Sequence, residues 1–467
     1  MYKSDSHSSP QLNFFLILIT TIAAIGGFLF GYDTGIISGA LLFIQSSFSV
    51  SVMTQEIIVS SVILGALAGA LSSGRLADSF GSQRMLLAMS VTFIAGTLIS
   101  ACAPTITLLI LGRFIIGVAI GITSYVSPLF ISEMAPARHR GSLVLLNGIM
   151  ITSGEAIAFL VDYLLVPTQS WRLMFATGLI PAAVLFTGML LLPATPRWTA
   201  LKGQMEKSKK ILARIRHSAC VEQEWNEILR LADRQRSNWS DLFSKSLRPV
   251  LMIGLGLGVF QQFIGINTVM YYGPSIFKAA GFQSQSSQIL ATFCMGMVNT
   301  LMSIVSVILI DRVGRRRMLL IGLTVSGASL YLIGYVFSRH THQSLDIWIS
   351  FIFMIIYIAG YSMSLGSLFW LVISEIYPLN IRGLAMSFAT AAQWAANFIV
   401  AATFLSTLNA FGPAYTFWGY ACMCIISLVF CYYLVPETRG VSLEQIEHNL
   451  RLGKRSRDLG QPISALT

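Results

Sequence analysis

The sequence predicts an all-α membrane protein of twelve transmembrane helices in two six-helix bundles, with short helices between them. Three observations carry this prediction: an apolar composition with few charges, basic residues confined to alternate loops, and an internal duplication. Of 467 residues, 55% are hydrophobic and 11% charged, and the charged share is roughly half that of soluble proteins. Those ~257 apolar side chains nearly match the ~250 that twelve spans of about twenty-one residues require. A water-soluble enzyme, a nucleic-acid binder and a disordered scaffold are thereby excluded, despite the net charge of +11.

The apolar stretches fall near 14–36, 55–74, 85–104, 107–131, 143–164, 172–192, 250–277, 288–310, 317–337, 347–374, 384–408 and 414–435. Helices are expected, because backbone in hydrocarbon must bond to itself. The stretches are too continuously apolar for the two-residue alternation of an outer-membrane barrel. The first lacks a strongly basic start and eleven more follow it, so it reads as a retained helix, not a signal peptide. With a cytoplasmic N-terminus, the inside segments hold 27 of the 31 Lys and Arg, many of them between Arg197 and Arg248. Arg172, Lys278 and Arg339 fall outside and Arg113 falls within a span. This positive-inside bias predicts both termini in the cytoplasm of a cell membrane and explains the basic balance without nucleic acid. A basic cytoplasmic face also attracts anionic lipid.

Asp78, Gly81, Arg84 and Met85–Leu87 share their spacing with Asp311, Gly314, Arg317 and Met318–Leu320. Ser132, Glu133, Pro136, Arg140 and Gly141 match Ser374, Glu375, Pro378, Arg382 and Gly383, and 193–197 resembles 436–439. Three matches in order, at offsets of 233, 242 and 243, indicate a duplicated half. The expected organisation is a first bundle over 1–198, an amphipathic linker over 199–248, a second bundle over 249–440 and a tail over 441–467. Parallel repeats of this size are a transporter architecture, with the substrate held between the halves near mid-membrane. The Asp-x-x-Gly-x-x-Arg loops read as tight turns. The Glu133–Arg140 and Glu375–Arg382 cassettes set an acid and a base two turns apart if helical, suited to bridging the halves on one side or to anchoring topology. Arg75, Arg197, Arg317 and Glu437 complete the set of expected gating ion pairs.

The linker interleaves Lys207, Lys209, Lys210, Arg214 and Arg216 with Ile211, Leu212 and Ile215, and Glu224, Glu227, Ile228, Leu229 and Leu231 follow. It reads as two or three short amphipathic helices, without a catalytic or nucleotide motif. Gly254, Gly256 and Gly258 lie in a span, not after a strand, so they form no phosphate loop. The six cysteines (102, 220, 294, 422, 424, 431) have no metal spacing and do not identify a redox compartment, and Asn238-Trp239-Ser240 falls on the side where glycosylation is not expected. No metal or cofactor is expected.

Asp33, Arg113 and Glu155 lie inside apolar stretches. An ionised group there costs at least ~2.5–3.5 kcal/mol, so each needs a partner or a hydrated cavity. Asp33 and Arg113 form a natural pair. An acid that can exchange its guanidinium for a proton is a workable proton switch, and the alternative is a static lock between helices. Glu155 reads as a substrate acceptor, a second proton site or a buried neutral acid. The seventh stretch carries Gln261, Gln262, Asn267, Tyr271 and Tyr272, with Gly265 and Pro274 able to loosen the helix. Asn299, Gln393 and Asn397 add further amides, and Trp370 and Trp394 offer ring faces. Amides donate and accept at once, which suits uncharged, hydroxyl-rich solutes, although any single amide can instead join two helices. Gly117 and Gly121 read as close helix packing.

Together these residues resemble the sugar porter family of the major facilitator superfamily over nearly the whole chain. Gly31-Tyr32-Asp33-Thr34-Gly35 after Phe30 resembles its first-helix motif, Gly112-Arg113 its fourth, Gln261 through Tyr272 its seventh-helix signature, and Pro436 through Gly440 its closing motif. The resemblance implies alternating access and a monosaccharide contacted by Gln261, Gln262, Asn267, Asn299, Trp370 and Gln393; the chain's own Glu155, Phe30, Tyr272 and Trp394 complete the expected site. It also implies proton coupling at Asp33 with Arg113. Three departures stand out: Glu155 replaces the usual fifth-helix Gln, Gly366-Ser367 replaces a Gly-Pro break in the tenth helix and suggests a stiffer one, and Ala194 replaces an acid expected to form an ion pair between the halves.

The expected activity is therefore proton-coupled import of a monosaccharide by a monomeric transporter in a lipid bilayer, not an enzyme. A uniporter of the same fold and a membrane sugar sensor are the alternatives, and the short stretch after Arg439 weighs against the sensor.

Overall fold

The computed structural model describes residues 14–136, 139–216, 221, 225, 242–244, 247–339, 344–378, 381–441 and 443–461. Glu224, Glu227, Ile228, Leu229, Leu231, Cys220, the 238–240 sequon and the Arg140 side chain lie outside the described residues. Eleven described helices are long and apolar enough to cross a membrane. The first half holds α1 (Phe14–Phe48), α2 (Val52–Phe80), α3 (Ser82–Ala101), α4 (Ile106–Met134) and α5 (Arg140–Leu165). Its sixth span is α6 (Trp171–Thr177) continued by α7 (Leu179–Leu191). Ser51, Thr105 and Ser170 cap α2, α4 and α6 through their side-chain oxygens, which satisfies N–H groups that a helix leaves open at its start.

The linker end carries α8 (Pro196–Leu201) and α9 (Met205–Ile215). As its pattern predicts, α9 buries Ser208, Ile211, Leu212 and Ile215 on one face. Arg216 then donates to the Met134 carbonyl at 2.8 Å, tying the linker to the end of α4.

The second half is more broken. Its first span is α10 (Arg248–Phe263), followed by α11 (Ile266–Tyr271) and α12 (Gly273–Ala279). Gly265 sits between α10 and α11 at φ +89°, a left-handed conformation open to glycine. The interruption expected at Gly265 is therefore present. Next come α13 (Gln285–Val313), α14 (Arg315–Ser338) and α15 (Ser344–Tyr361). A π-helical segment, Ser362–Gly366, leads into α16 (Ser367–Ile376). Finally α17 spans Arg382–Leu434 and α18 spans Leu443–Arg451.

Straight, the 53 residues of α17 would reach about 80 Å, more than twice the ~30 Å hydrocarbon core. The helix instead folds back at Gly412, φ +81°. The rings of Phe404 and Tyr420 stack 6.4 Å apart, whereas sixteen residues of straight helix would separate them by ~24 Å. Counted this way there are twelve spans. The tail is not loose over its described part: Asn449 is buried and donates to the Leu459 and Gln461 carbonyls at 2.9 and 3.0 Å.

Within the first half α1 packs along α5 and α2 along α4. Small residues permit this. A Cβ on Gly31 would strike the Ile151 carbonyl, and one on Gly117 or Gly121 would strike the backbone of Val62 or Ala66. The halves meet along two seams, α2 against α17 and α5 against α13. The duplication maps these seams onto each other, as a twofold axis between repeats requires. Gly81 and Gly314 share the same turn, at φ +88° and +97°. α1 runs twelve residues past the apolar stretch ending at 36, because the extension is itself largely apolar and buries Ile37, Leu41, Phe43 and Ile44 in the core.

Gly121→Val should push α2 off α4 and cost about 1–3 kcal/mol, read as a lower melting temperature in detergent. Gly383→Ala, whose new Cβ meets nothing within 4 Å, should not lower it.

Candidate functional site

Asp33 on α1 and Arg113 on α4 are both buried, at 3% and 0% exposure. Arg113 Nη2 lies 3.4 Å from Asp33 Oδ2 and its Nε donates to the Ile58 carbonyl at 2.9 Å. The guanidinium lies over the Phe175 ring at 5.5 Å, while Nη1 has no partner. One charge thus joins α1, α2, α4 and α6. Asp33 also lines a crevice inside the first half with Tyr32, Phe93, Thr97, Ile116 and Phe175. The expected pair is present, and its third donor is unused.

In the second half the break at Gly265 turns three amides into one chain. Asn267 Nδ2 donates to Gln262 Oε1 at 2.7 Å, Gln262 Nε2 to Gln261 Oε1 at 3.4 Å, and Gln261 Nε2 to the Leu365 carbonyl at 3.0 Å. Leu365 belongs to the π segment. The tenth span is therefore broken although it lacks the Gly-Pro pair, which corrects the stiffer helix expected there. Ser364 adopts φ −114°, ψ −108°. Hydroxyls stand in for the missing ladder: Ser364 donates to the Gly360 carbonyl and Ser367 to the Ser362 carbonyl, each at 2.8 Å. Trp370 follows, half-buried against Phe369.

On α17, Gln393, Trp394 and Asn397 are buried. Gln393 Oε1, Trp394 Nε1 and Asn397 Oδ1 have no hydrogen-bond partner within the protein. Buried polar atoms are nearly always satisfied, so these three are exceptions and leave hydrogen-bonding capacity open on α17. Asn397 Nδ2 reaches the Tyr271 hydroxyl at 3.3 Å, and Tyr272 donates to the Ala401 carbonyl at 3.0 Å.

Two contacts join these amides to the first half. Phe30 lies against Trp394, ring centroids 5.2 Å apart. Asn299 Nδ2 donates to Glu155 Oε2 at 2.9 Å, and Ser362 donates to Asn299 Oδ1 at 2.7 Å. A carboxyl on α5 is thereby wired to the break in the tenth span. The Tyr271 hydroxyl is within electrostatic reach of Glu155, Asp33 and Arg113. Tyr271 therefore stands between the Asp33–Arg113 pair of the first half and the amides of the second.

The acidic residues at the linker end bond within their own halves. Glu133 accepts from Ser82 at 3.2 Å and from Thr195 at 2.7 Å, with Arg197 in electrostatic reach. Glu375 accepts from Arg315 at 2.9 Å and from Thr438. These are equivalent sites of the duplication, with Ser82 standing where Arg315 stands. Arg315, not Arg317, supplies the ion pair, because Met318 and Leu319 face inward and turn Arg317 out. Arg75 is exposed as well. Neither cassette is one continuous helix: α4 ends at Met134 and α16 at Ile376, and Arg382 donates to the Tyr377 carbonyl at 3.3 Å. Glu437 accepts the N–H groups of Arg315 and Arg316 at 3.0 and 3.1 Å, capping α14. Ala194 is its counterpart, so the acid absent there corresponds to a helix cap within one half, not to a tie between halves.

Two further buried acids escape the sequence reading. Asp162 is fully buried and accepts the Gly39 N–H at 2.9 Å; it lies seven residues from Glu155 on the α5 face that meets α1, and that spacing is the signal that could find it. Glu56 sits at the edge of an apolar stretch, where an interfacial residue is ordinary, yet it is 3% exposed and binds Ser406 across the halves.

The family model described as "Sugar (and other) transporter" matches residues 19–450. The galactose-proton symporter of Escherichia coli (strain K12) is 38% identical over 461 residues, covering 98% of each chain. The D-xylose transporter of Levilactobacillus brevis is 40% identical over 433 residues, 92% of this chain and 94% of that one. The xylose transporter of E. coli, solved in a partially occluded inward-open conformation, superposes with a TM-score of 0.81 at 28% identity, covering 92% of this chain and all of that one.

Asn299→Leu removes the donor to buried Glu155 and should destabilise the protein by about 1.5–3 kcal/mol, seen as a lower melting temperature in detergent. Adding Glu155→Met should recover most of the loss.

Proposed function

The chain belongs to the sugar transporter family, the sugar porters of the major facilitator superfamily, and from that premise we propose that it imports a monosaccharide by proton symport through alternating access. It is a multi-pass membrane protein and not an enzyme. The linker end and both termini face the cytoplasm of a cell membrane in this reading, supported by the 27 basic residues on that side. The observation that carries the reading is the buried Asp33–Arg113 pair set beside an amide chain whose α17 neighbours lack partners.

The sugar sits between the halves. Its hydroxyls take over bonds the amides now make to one another, so Gln261, Gln262, Asn267 and Asn299 exchange partners rather than lose them. Gln393 Oε1, Trp394 Nε1 and Asn397 Oδ1 gain the partners that these atoms lack. Trp370, Phe30, Tyr272 and Trp394 give the ring its apolar walls. Glu155 accepts from a sugar hydroxyl when Asn299 turns away. The proton is carried by Asp33, which trades Arg113 for H⁺ when α1 and α4 shift. The Glu133 and Glu375 clusters stiffen the linker end of each half, so the halves move as units.

The driving force suffices. A potential of about 150 mV is worth roughly 3.5 kcal/mol per charge, and one pH unit adds about 1.4. Their sum supports a gradient of several thousandfold. In relatives the named solutes are galactose, arabinose and xylose, so a hexose or pentose is the proposed substrate class.

Asp33→Asn should abolish uphill accumulation in energised cells while sparing counterflow exchange; full accumulation by that variant would remove Asp33 from the coupling. Glu155→Gln should change the order of preference across a sugar panel or the pH optimum of uptake, and an unaltered profile in both would make the residue structural.

A further inference from the structure

One buried acid between the halves belongs to neither the sugar site nor the proton site. Glu56 lies in the second turn of α2, at the end away from the linker, and is 3% exposed. Its Oε1 accepts the Ser406 backbone N–H at 2.7 Å and its Oε2 accepts the Ser406 hydroxyl at 2.6 Å. Ser406 lies on α17, six residues before the chain folds back at Gly412. Both carboxylate oxygens thus close on one residue 350 positions away, in the other half. Charge-assisted bonds of this kind are roughly twice as strong as neutral ones. Close by, the Tyr272 ring stacks on Phe404 at 5.2 Å and its hydroxyl lies within electrostatic reach of Glu56. The α2–α17 seam is therefore shut by a carboxylate with an aromatic pair beside it.

We propose that Glu56 is the latch of the gate at the end away from the linker: it holds α2 to Ser406 while that end is closed, and must release Ser406 before that end can open. This rests on the alternating-access reading but not on the identity of the solute or on proton coupling. Without the latch, the state open at that end gains population, and a ligand arriving from that side binds with higher apparent affinity.

The test uses the full chain in lipid vesicles. Ser60, one turn deeper on the same face of α2, is buried, and Ser60→Cys reports opening through a membrane-impermeant maleimide added from the side away from the linker. The background carries Cys102→Ser, because Cys102 is exposed. Glu56→Ala should raise the labelling rate tenfold or more without any sugar present. Ser406→Ala, which keeps the backbone N–H, should raise it less, and the two changes together should not exceed Glu56→Ala alone. If Glu56→Ala does not fold, Glu56→Gln, of the same size but uncharged, should still raise the rate several-fold. Labelling unchanged in the folded variants, or fully additive effects of the two sites, would overturn the latch. Because no sugar or pH gradient is applied, a failure of symport leaves this result standing, and a failure of the latch leaves symport untouched.

Discussion

Arg113 is fully buried, at 0% exposure. It is sealed among α1, α2, α4 and α6, and its charge is met by one carboxylate, one carbonyl and the face of one ring. Leaving such a charge alone in a low-dielectric interior is among the costliest changes a protein can suffer. Asp33 is bound by the same constraint. If α1 moves, Asp33 must stay with Arg113 or be neutralised, and the smallest neutralising agent available is a proton. In the proposed cycle, a helix rearrangement in the first half and a protonation of Asp33 are one event seen from two sides. The unused Nη1 leaves the guanidinium donor capacity for a new acceptor as that happens.

The sugar side can feel that event because the two halves share contacts at mid-depth. Glu155 on α5 holds Asn299 on α13, and Asn299 in turn receives Ser362 at the start of the π segment. From there the freed Leu365 carbonyl is taken by Gln261, which leads back to Gln262 and Asn267. In the proposed cycle, a sugar that replaces any link pulls on the broken tenth span and on the fifth helix together. The serine-supported break matters here, since a π segment with a non-helical residue moves at lower cost than an intact helix.

Much of this is legible in the sequence. Hydropathy and the basic residues are read locally, so twelve spans, the duplicated turns at Gly81 and Gly314 and the interruption at Gly265 follow from the chain itself. Asp33 with Arg113 is legible because a charge in hydrocarbon demands a partner and the chain offers few. The rest is decided by tertiary geometry. Arg315 rather than Arg317 meets Glu375 because the helix phase at its first turn settles which arginine faces inward. The tenth-span break survives without proline because Ser364 and Ser367 satisfy the backbone themselves. Glu56 has the local setting of a solvated helix end, and no local pattern reveals that Ser406 comes to meet it.

The most direct test of obligatory coupling is a proton count. The purified wild-type protein is reconstituted into weakly buffered vesicles, a sugar gradient is imposed, and pH and labelled sugar are followed together. Coupling through Asp33 predicts H⁺ moving with the sugar in a fixed ratio near one, in either direction of the gradient. Sugar equilibrating across the membrane with the pH unmoved would contradict it.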